Sequence, residues 1–249
     1  MSRSNILDGK KALVTGGSRG IGSAIAKRLA ADGAEVAITY AGNKAAADAT
    51  VASIEQAGGK AVAIQADAAD DASQRAGIDA AAKALGGIDI LVHNAGVAEF
   101  FEVDQDTDES FAHQFGVNVR GLHVGTRAAL PHIPDGGRII LIGSIAGETA
   151  AFPGIATYGA TKAAVAGLGR GWARDLAARK ILVNVIQPGP IATDLAPSEG
   201  PVYDLLISKV PLGRFGEVEE IAGAAAFLAG PDASYITGTT LTIDGGTTV

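Results

Sequence analysis

The sequence predicts an α/β fold in which a parallel sheet is covered by helices on both faces. Three observations lead there. Short Val- and Ile-rich runs alternate with longer helical stretches along the whole chain. The short runs are nearly continuously apolar rather than alternating, as strands buried on both faces must be. A glycine-rich turn separates the first run from the first helical stretch, where open α/β sheets hold phosphates. With 249 residues, 47% of them hydrophobic, and no linker-like segment, one domain over 1–249 is expected.

In chain order, strand Ala12–Thr15 runs into the glycine turn and then helix Ile21–Asp32. Strand Val36–Tyr40 is followed by helix Lys44–Ala57, and strand Ala61–Gln65 by helix Asp71–Leu85. Ile88–Val92 reads as the fourth strand and Asp108–Ala129 as one long helix. The Pro- and Gly-rich Pro131–Gly137 is a short connection to strand Arg138–Ile142. Helix Thr157–Ala178 leads to strand Leu182–Ile186. Pro188–Pro201 cannot be one regular helix, because prolines fix φ and lack an N–H. A short helix is expected at Val202–Lys209, then helix Val218–Leu228 and strand Thr240–Ile243. A long connection at the carboxyl edge of a sheet is usually functional. The apolar Leu195, Val202, Leu205, Leu206 and Ile207 make Pro188–Lys209 a candidate lid.

Composition narrows the function. Lys plus Arg number 20 against 27 Asp plus Glu, a net charge of -7, so neither nucleic acid nor an anionic membrane surface is an expected partner. There is no Cys, which removes disulfides, cysteine-metal sites and thiol nucleophiles together. The beginning MSRSNILDGKKALVTGG holds no signal-like apolar stretch, and no window approaches a membrane span. A cytoplasmic protein is expected.

The first strand runs into Gly16-Gly17-Ser18-Arg19-Gly20-Ile21-Gly22. Glycine permits the tight turn and lets the backbone approach a pyrophosphate, while amide N–H groups and the helix N-terminus face the anion. In a chain with 34 Gly the spacing alone is weak, and its position between strand and helix is what gives it weight. The second strand ends in Tyr40-Ala41-Gly42-Asn43, without the acid that holds the ribose 2′-OH of NAD. Arg19 lies in the turn, where a guanidinium can pair with a 2′-phosphate. Together these favour NADP.

Tyr158 and Lys162 lie i, i+4 at the start of a predicted helix, on one face, and Ser144 follows the fifth strand. An ammonium beside a phenol is expected to lower the phenol's pKa toward neutrality. Such a Tyr donates a proton to a carbonyl oxygen as hydride reaches the carbon, and a Ser hydroxyl holds that oxygen.

With these residues in view, the chain resembles the short-chain dehydrogenase/reductase family over essentially its whole length. Thr15-Gly16-x-x-x-Gly20-x-Gly22 resembles the family's glycine motif, Asn94-Ala95-Gly96 the end of its N-N-A-G, and Pro188-Gly189 with Thr193 its P-G-x-x-x-T. Asp67, Asn118, Ser144, Tyr158, Lys162 and the ending Asp244-Gly245-Gly246 also match. The resemblance implies a doubly wound Rossmann fold with seven parallel strands in order 3-2-1-4-5-6-7. It implies Tyr158 as general acid, Lys162 as its tuner and ribose ligand, Ser144 orienting the substrate oxygen, and the Asn118 carbonyl holding a water. Gly16, Ser18, Arg19, Gly20, Ile21, Gly22, Tyr40, Asn43, Asp67, Asn94, Gly96, Pro188, Gly189, Ile191 and Thr193 would line the cofactor, with Asp67 and Asn94 on the adenosine half. A dimer or tetramer is implied, and a homotetramer is the expectation.

The departure is His93, where the family usually has Asn; packing at the strand end is expected for it. Within the family the chain looks like 3-oxoacyl-carrier-protein reductase-like NADPH ketoreductases. The absence of Lys or Arg in Pro131–Gly137, a stretch often basic in enzymes that dock acidic carrier proteins, points to a small-molecule ketone or alcohol instead. Ile145, Phe152 and Leu195 are expected to touch that substrate, with Val97, Phe100 and Tyr203 nearby. The segments Gln187–Asp194 and Ser198–Pro201 also resemble cyclic-di-GMP-binding biofilm dispersal proteins, which makes a nucleotide sensor the alternative.

Overall fold

The computed structural model describes residues 5–193, 196 and 199–249. One sheet holds seven strands: β1 (Lys11–Thr15), β2 (Glu35–Tyr40), β3 (Lys60–Gln65), β4 (Ile90–His93), β5 (Arg138–Ile142), β6 (Leu182–Pro188) and β7 (Thr240–Ile243). Their order is 3-2-1-4-5-6-7 and every pairing is parallel. The expected doubly wound Rossmann sheet is therefore present.

The helices are α1 (Gly20–Ala31), α2 (Lys44–Gln56), α3 (Asp71–Leu85), α4 (Asp108–Phe115), α5 (Leu122–Ala129), α6 (Ala156–Asp175), α7 (Pro201–Ile207) and α8 (Val218–Ala229). Neighbouring strand residues point to opposite faces, so every strand but the edge strand β7 feeds two cores. Val14, Ile38, Val92, Ile140 and Ile186 meet Ile25 and Leu29 of α1 and Ile221 of α8 on one side. Leu13, Leu91, Ile139, Leu141 and Val185 meet Ile78 of α3, Leu122 of α5 and Val165 of α6 on the other. This double burial is why the strands read as continuous apolar runs.

Two predicted elements are redrawn. The fourth strand begins at Ile90 rather than Ile88, because Ile88 N–H donates to His132 O and the Asp89 carboxylate accepts from Lys11 N–H before the ladder starts. The long helix predicted over Asp108–Ala129 is interrupted by a π-helical turn at Gly116–Gly121. There the close approach of Gly121 to Ala68, where a Cβ would lie 2.2 Å from the Ala68 carbonyl oxygen, and the inward anchoring of Asn118 override a uniform 3.6-residue period.

The strand order reverses between β1 and β4, β2 and β3 being added on one side and β5 to β7 on the other, so the carboxyl ends of this parallel pair, at Thr15 and His93, open a crevice at the switch point. Both parts of the candidate site lie on this edge.

Candidate functional site

The first part is the turn between β1 and α1. Gly16 has φ +64° and Gly20 φ +53°, which side-chain-bearing residues rarely adopt. Gly22 is required by contact: a Cβ there would lie 2.3 Å from Gly16 O and 2.4 Å from Asn94 Nδ2. The Asn94 amide donates to Thr15 O at 3.1 Å and Gly16 O at 2.9 Å, while Asn94 N–H and Ala95 N–H donate to Thr15 Oγ1. Asn94 thus uses the donors of its side-chain amide to shape the turn.

Helices α2, α3 and α4 are capped by the side chains of Asn43, Asp70 and Thr107. Helix α1 has no side-chain cap and no acid in its first turn. Its first N–H groups are left for an anion, with positive dipole and glycine cradle coinciding. The residues fit a pyrophosphate. Facing Gly20, the Thr193 methyl lies 3.7 Å from where a Cβ would be.

Around this cradle the sequence-selected residues divide. Ser18 and Ile21 sit in and just after the turn, and Ser18 O accepts from Thr50 Oγ1. Arg19 is exposed and has no ion-pair partner among the described residues. Tyr40 is instead buried in the core, and the Asn43 carboxamide oxygen is committed to Ala46 N–H. Asp67 is exposed beyond β3, its carboxylate accepting from Ala69 N–H. Gly189 packs on the C-terminal turn, where a Cβ would meet Asp244 Cα at 2.6 Å, and it follows Pro188 at the end of β6. Ile191 is buried and bridged to Gly216, so the strap after β6 is tied down at that point. Leu195 and Ser198 lie outside the described residues.

The second part is the Ser, Tyr and Lys set. Ser144 directly follows Gly143 after β5 and caps a 3-10 turn, Ile145–Gly147, by accepting from Ala146 N–H at 3.1 Å. That turn lies against α6 because two glycines allow it. A Cβ at Gly147 would lie 2.8 Å from the Ala163 nitrogen, and one at Gly159 would lie 2.6 Å from Ala146 O. Lys162 is buried; its Nζ donates to Ile142 O at 3.1 Å and lies 5.6 Å from the Tyr158 ring centroid. Asn118 accepts from Val97 N–H at 2.8 Å and donates to Val97 O and to Thr161 Oγ1. Gly96 closes the group: a Cβ there would be 3.2 Å from Asn118 Oδ1 and 3.6 Å from Lys162 Nζ.

Electrostatics correct one expectation. Burial pushes the Tyr158 phenol above its ordinary value, and the adjacent Ser144 hydroxyl only partly opposes this. The spacing predicted a lowered phenol; desolvation outweighs it here. The same burial pushes the Lys162 ammonium down to about 8. The phenol is held in its proton-donating form.

His93 behaves as expected for a packed residue. It is buried, points at α5, and its Nε2 bonds Thr126 Oγ1 at 2.9 Å; burial pushes its pKa down to about 3, so it is neutral. Of the residues expected to touch substrate, Ile145 is buried and Phe152 is partly open beside Phe100 and Tyr158. Sequence reasoning did not find Gly147, Gly159, Thr161 or Gln114. Their contributions rest on contacts with distant segments and leave no local signal.

A family model described as Enoyl-(Acyl carrier protein) reductase matches residues 16–248. The chain is 44% identical over 237 residues to the cyclic-di-GMP-binding biofilm dispersal mediator protein of Escherichia coli, spanning 95% of this chain and 96% of that one. It is 39% identical over 240 residues to the 3-oxoacyl-(acyl-carrier-protein) reductase of Staphylococcus aureus, spanning 95% and 97%. Among solved structures, a short chain dehydrogenase from Burkholderia cenocepacia in complex with NADP superposes with a TM-score of 0.96 at 46% identity, covering 98% of this chain and 100% of that one.

Proposed function

The chain belongs to the short-chain dehydrogenase/reductase family, and we propose that it is an NADP-dependent oxidoreductase interconverting a ketone and a secondary alcohol. The observation that carries this reading is the convergence of Ser144, Tyr158 and Lys162 beside an uncapped, glycine-lined helix N-terminus. The NADP-bound relative supports the choice of cofactor.

Gly16, Ser18, Gly20, Ile21 and Gly22 would hold the pyrophosphate, Arg19 the 2′-phosphate, Asp67 the adenine side, and Pro188, Gly189, Ile191 and Thr193 the nicotinamide side. When bound, the cofactor supplies the hydride. Tyr158 gives its proton to the carbonyl oxygen as the C=O electron pair moves onto that oxygen. The Ser144 hydroxyl donates to the same oxygen and fixes its position. The Lys162 ammonium offsets the charge left on the phenolate. The π-helical turn at Asn118 breaks the regular carbonyl ladder, and the Asn118 carbonyl would hold the water that resupplies Lys162 with a proton.

A small ketone is the substrate proposed, because the apolar Phe100 and Phe152 stand beside Tyr158. Pro131–Gly137 runs into β5 at the amino edge of the sheet, where His132 O accepts from Ile88 N–H, so its lack of Lys or Arg does not bear on carrier-protein docking at the site. The reading includes one domain, a cytoplasmic location and a homotetramer. Ala222, Ala225, Ala226 and Leu228 of α8 are already buried within the chain, which leaves Phe227 as the exposed apolar residue of that helix. The proposed lid over Pro188–Lys209 would have to keep or break two contacts: Tyr203 of α7 packs on Phe215, 5.0 Å between centroids, and Lys209, just after α7, donates to Ala151 O.

Tyr158→Phe should lower NADPH-dependent ketone reduction about 100- to 10,000-fold, the usual worth of a general acid, and leave NADPH affinity within a few-fold. Near-wild-type turnover would remove Tyr158 from the chemistry. The similarity to the biofilm dispersal mediator favours a second reading, a cyclic-di-GMP sensor. Binding of cyclic-di-GMP without NADPH turnover on any ketone would select it.

A further inference from the structure

Phe100 stands at the mouth of the site in an arrangement that no local sequence feature requires. Its ring meets Phe152 edge-on at 5.2 Å and 72°, and Tyr158 edge-on at 5.8 Å and 75°. It is nonetheless 49% exposed. An aromatic ring held half in water next to a proton donor leaves apolar area for a ligand to cover.

The corner is built rather than incidental. The Gln114 side chain, fully buried, accepts from Glu99 N–H at 3.3 Å and donates to Glu99 O at 3.2 Å, clamping the residue before Phe100 from both sides. The Glu99 carboxylate also meets His113 Nδ1 at 2.7 Å. On the other side, Phe101 N–H donates to Gly154 O at 3.1 Å, and Thr157 Oγ1 donates to the Asp106 carboxylate. These bonds tie the segment after β4 to α4, to the loop before α6 and to the first turn of α6, and so hold Phe100 against Phe152 and Tyr158.

We propose that Phe100 and Phe152 form an aromatic subsite that selects ketones carrying an aryl group on or next to the carbonyl carbon. Such a ring covers the open side of Phe100 while its carbonyl oxygen lies between Ser144 and Tyr158. A flat conjugated ring loses little conformational freedom in a preformed corner, whereas an alkyl chain of equal size loses rotamers and gains no edge-to-face contact. This inference rests on the ketone reductase reading.

The test compares kcat/KM for acetophenone-type ketones with that for aliphatic methyl ketones of equal carbon number, using NADPH. In the wild type the aryl series should be preferred by about tenfold, the scale of an aromatic contact together with its buried area. Phe100→Leu, which keeps apolar bulk but not the ring, should remove most of that preference, and Phe100→Ala should do the same. Phe152→Leu repeats the test from the other wall should a Phe100 variant fail to fold. An aryl-to-alkyl ratio unchanged in folded variants, or a wild type that prefers aliphatic ketones, overturns the subsite and leaves the reductase reading intact. No turnover with either series overturns the reductase reading itself, and the subsite with it.

Discussion

Gly159 faces Ala146 so closely that a Cβ on Gly159 would lie 2.6 Å from the Ala146 carbonyl oxygen. Ala146 belongs to the 3-10 turn that Ser144 caps, and Gly159 follows Tyr158 on α6. The missing side chain therefore sets the separation of the two hydroxyls. Gly159→Ala should push the turn away from the helix and carry Ser144 with it. We expect kcat to fall roughly 100-fold, the scale of an ångström-sized misplacement, with NADPH affinity little changed and the melting temperature lowered by the strain of the displaced turn. A variant with undiminished kcat would show that the contact does not position Ser144.

Arg19 is exposed at the mouth of the glycine cradle, and the β2 end opposite has no acid. Wild type should prefer NADPH to NADH, and Arg19→Ala should lose about 10- to 100-fold of that discrimination, the worth of one charge-assisted contact. The kcat/KM ratio for the two cofactors, measured with and without the substitution, decides the matter. Equal use of both by the wild type refutes it.

What the sequence revealed follows from how local each feature is. Six of the strands were legible because each carries its own apolar run, the edge strand β7 because Thr240-Leu241-Thr242-Ile243 alternates between β-branched and apolar residues, and the Tyr158–Lys162 pair because four residues on a helix make one face. The interruption at Gly116–Gly121 was not, since apolar periodicity is much the same for a helix that carries one π turn. Nor was the seat of Ser144, which depends on Gly147 and Gly159 meeting backbone from another segment. The sign of the Tyr158 shift also escaped, because spacing reports the neighbouring ammonium and says nothing of burial. Asn94 was recognisable as a site residue, but its use in holding the turn required the fold.

The Lys162 ammonium is pushed down to about 8 by burial, while the phenol beside it is pushed up. Reduction needs both groups protonated, so the lysine sets the alkaline limit. Below pH 8 the ammonium is present and kcat/KM for ketone reduction should be level. Above it the rate should fall about tenfold per pH unit as the charge is lost. A profile flat from pH 7 to 10 would exclude Lys162 as a required cation.

His93 couples the fold to acid. Its imidazole is buried between β4 and α5, bonded through Nε2 to Thr126, and burial holds its pKa near 3 against an ordinary 6.5. The group's folded value lies below its unfolded value, so between pH 3 and 6.5 the unfolded chain binds a proton that the folded chain does not. Its contribution to stability is thus whole above pH 6.5 and is lost as pH falls through that window. At pH 5 the loss is about 2 kcal/mol, from 1.36 kcal/mol per unit over roughly 1.5 units. Asn at this position does not titrate, so His93→Asn should show a shallower decline in unfolding free energy between pH 7 and 5. The variant starts lower at neutral pH, because the imidazole's packing against Gly125 and its bond to Thr126 are lost. The comparison therefore rests on the slope in urea denaturation series and not on the intercept. Parallel slopes in the two proteins would mean that the buried imidazole is not what acid acts on.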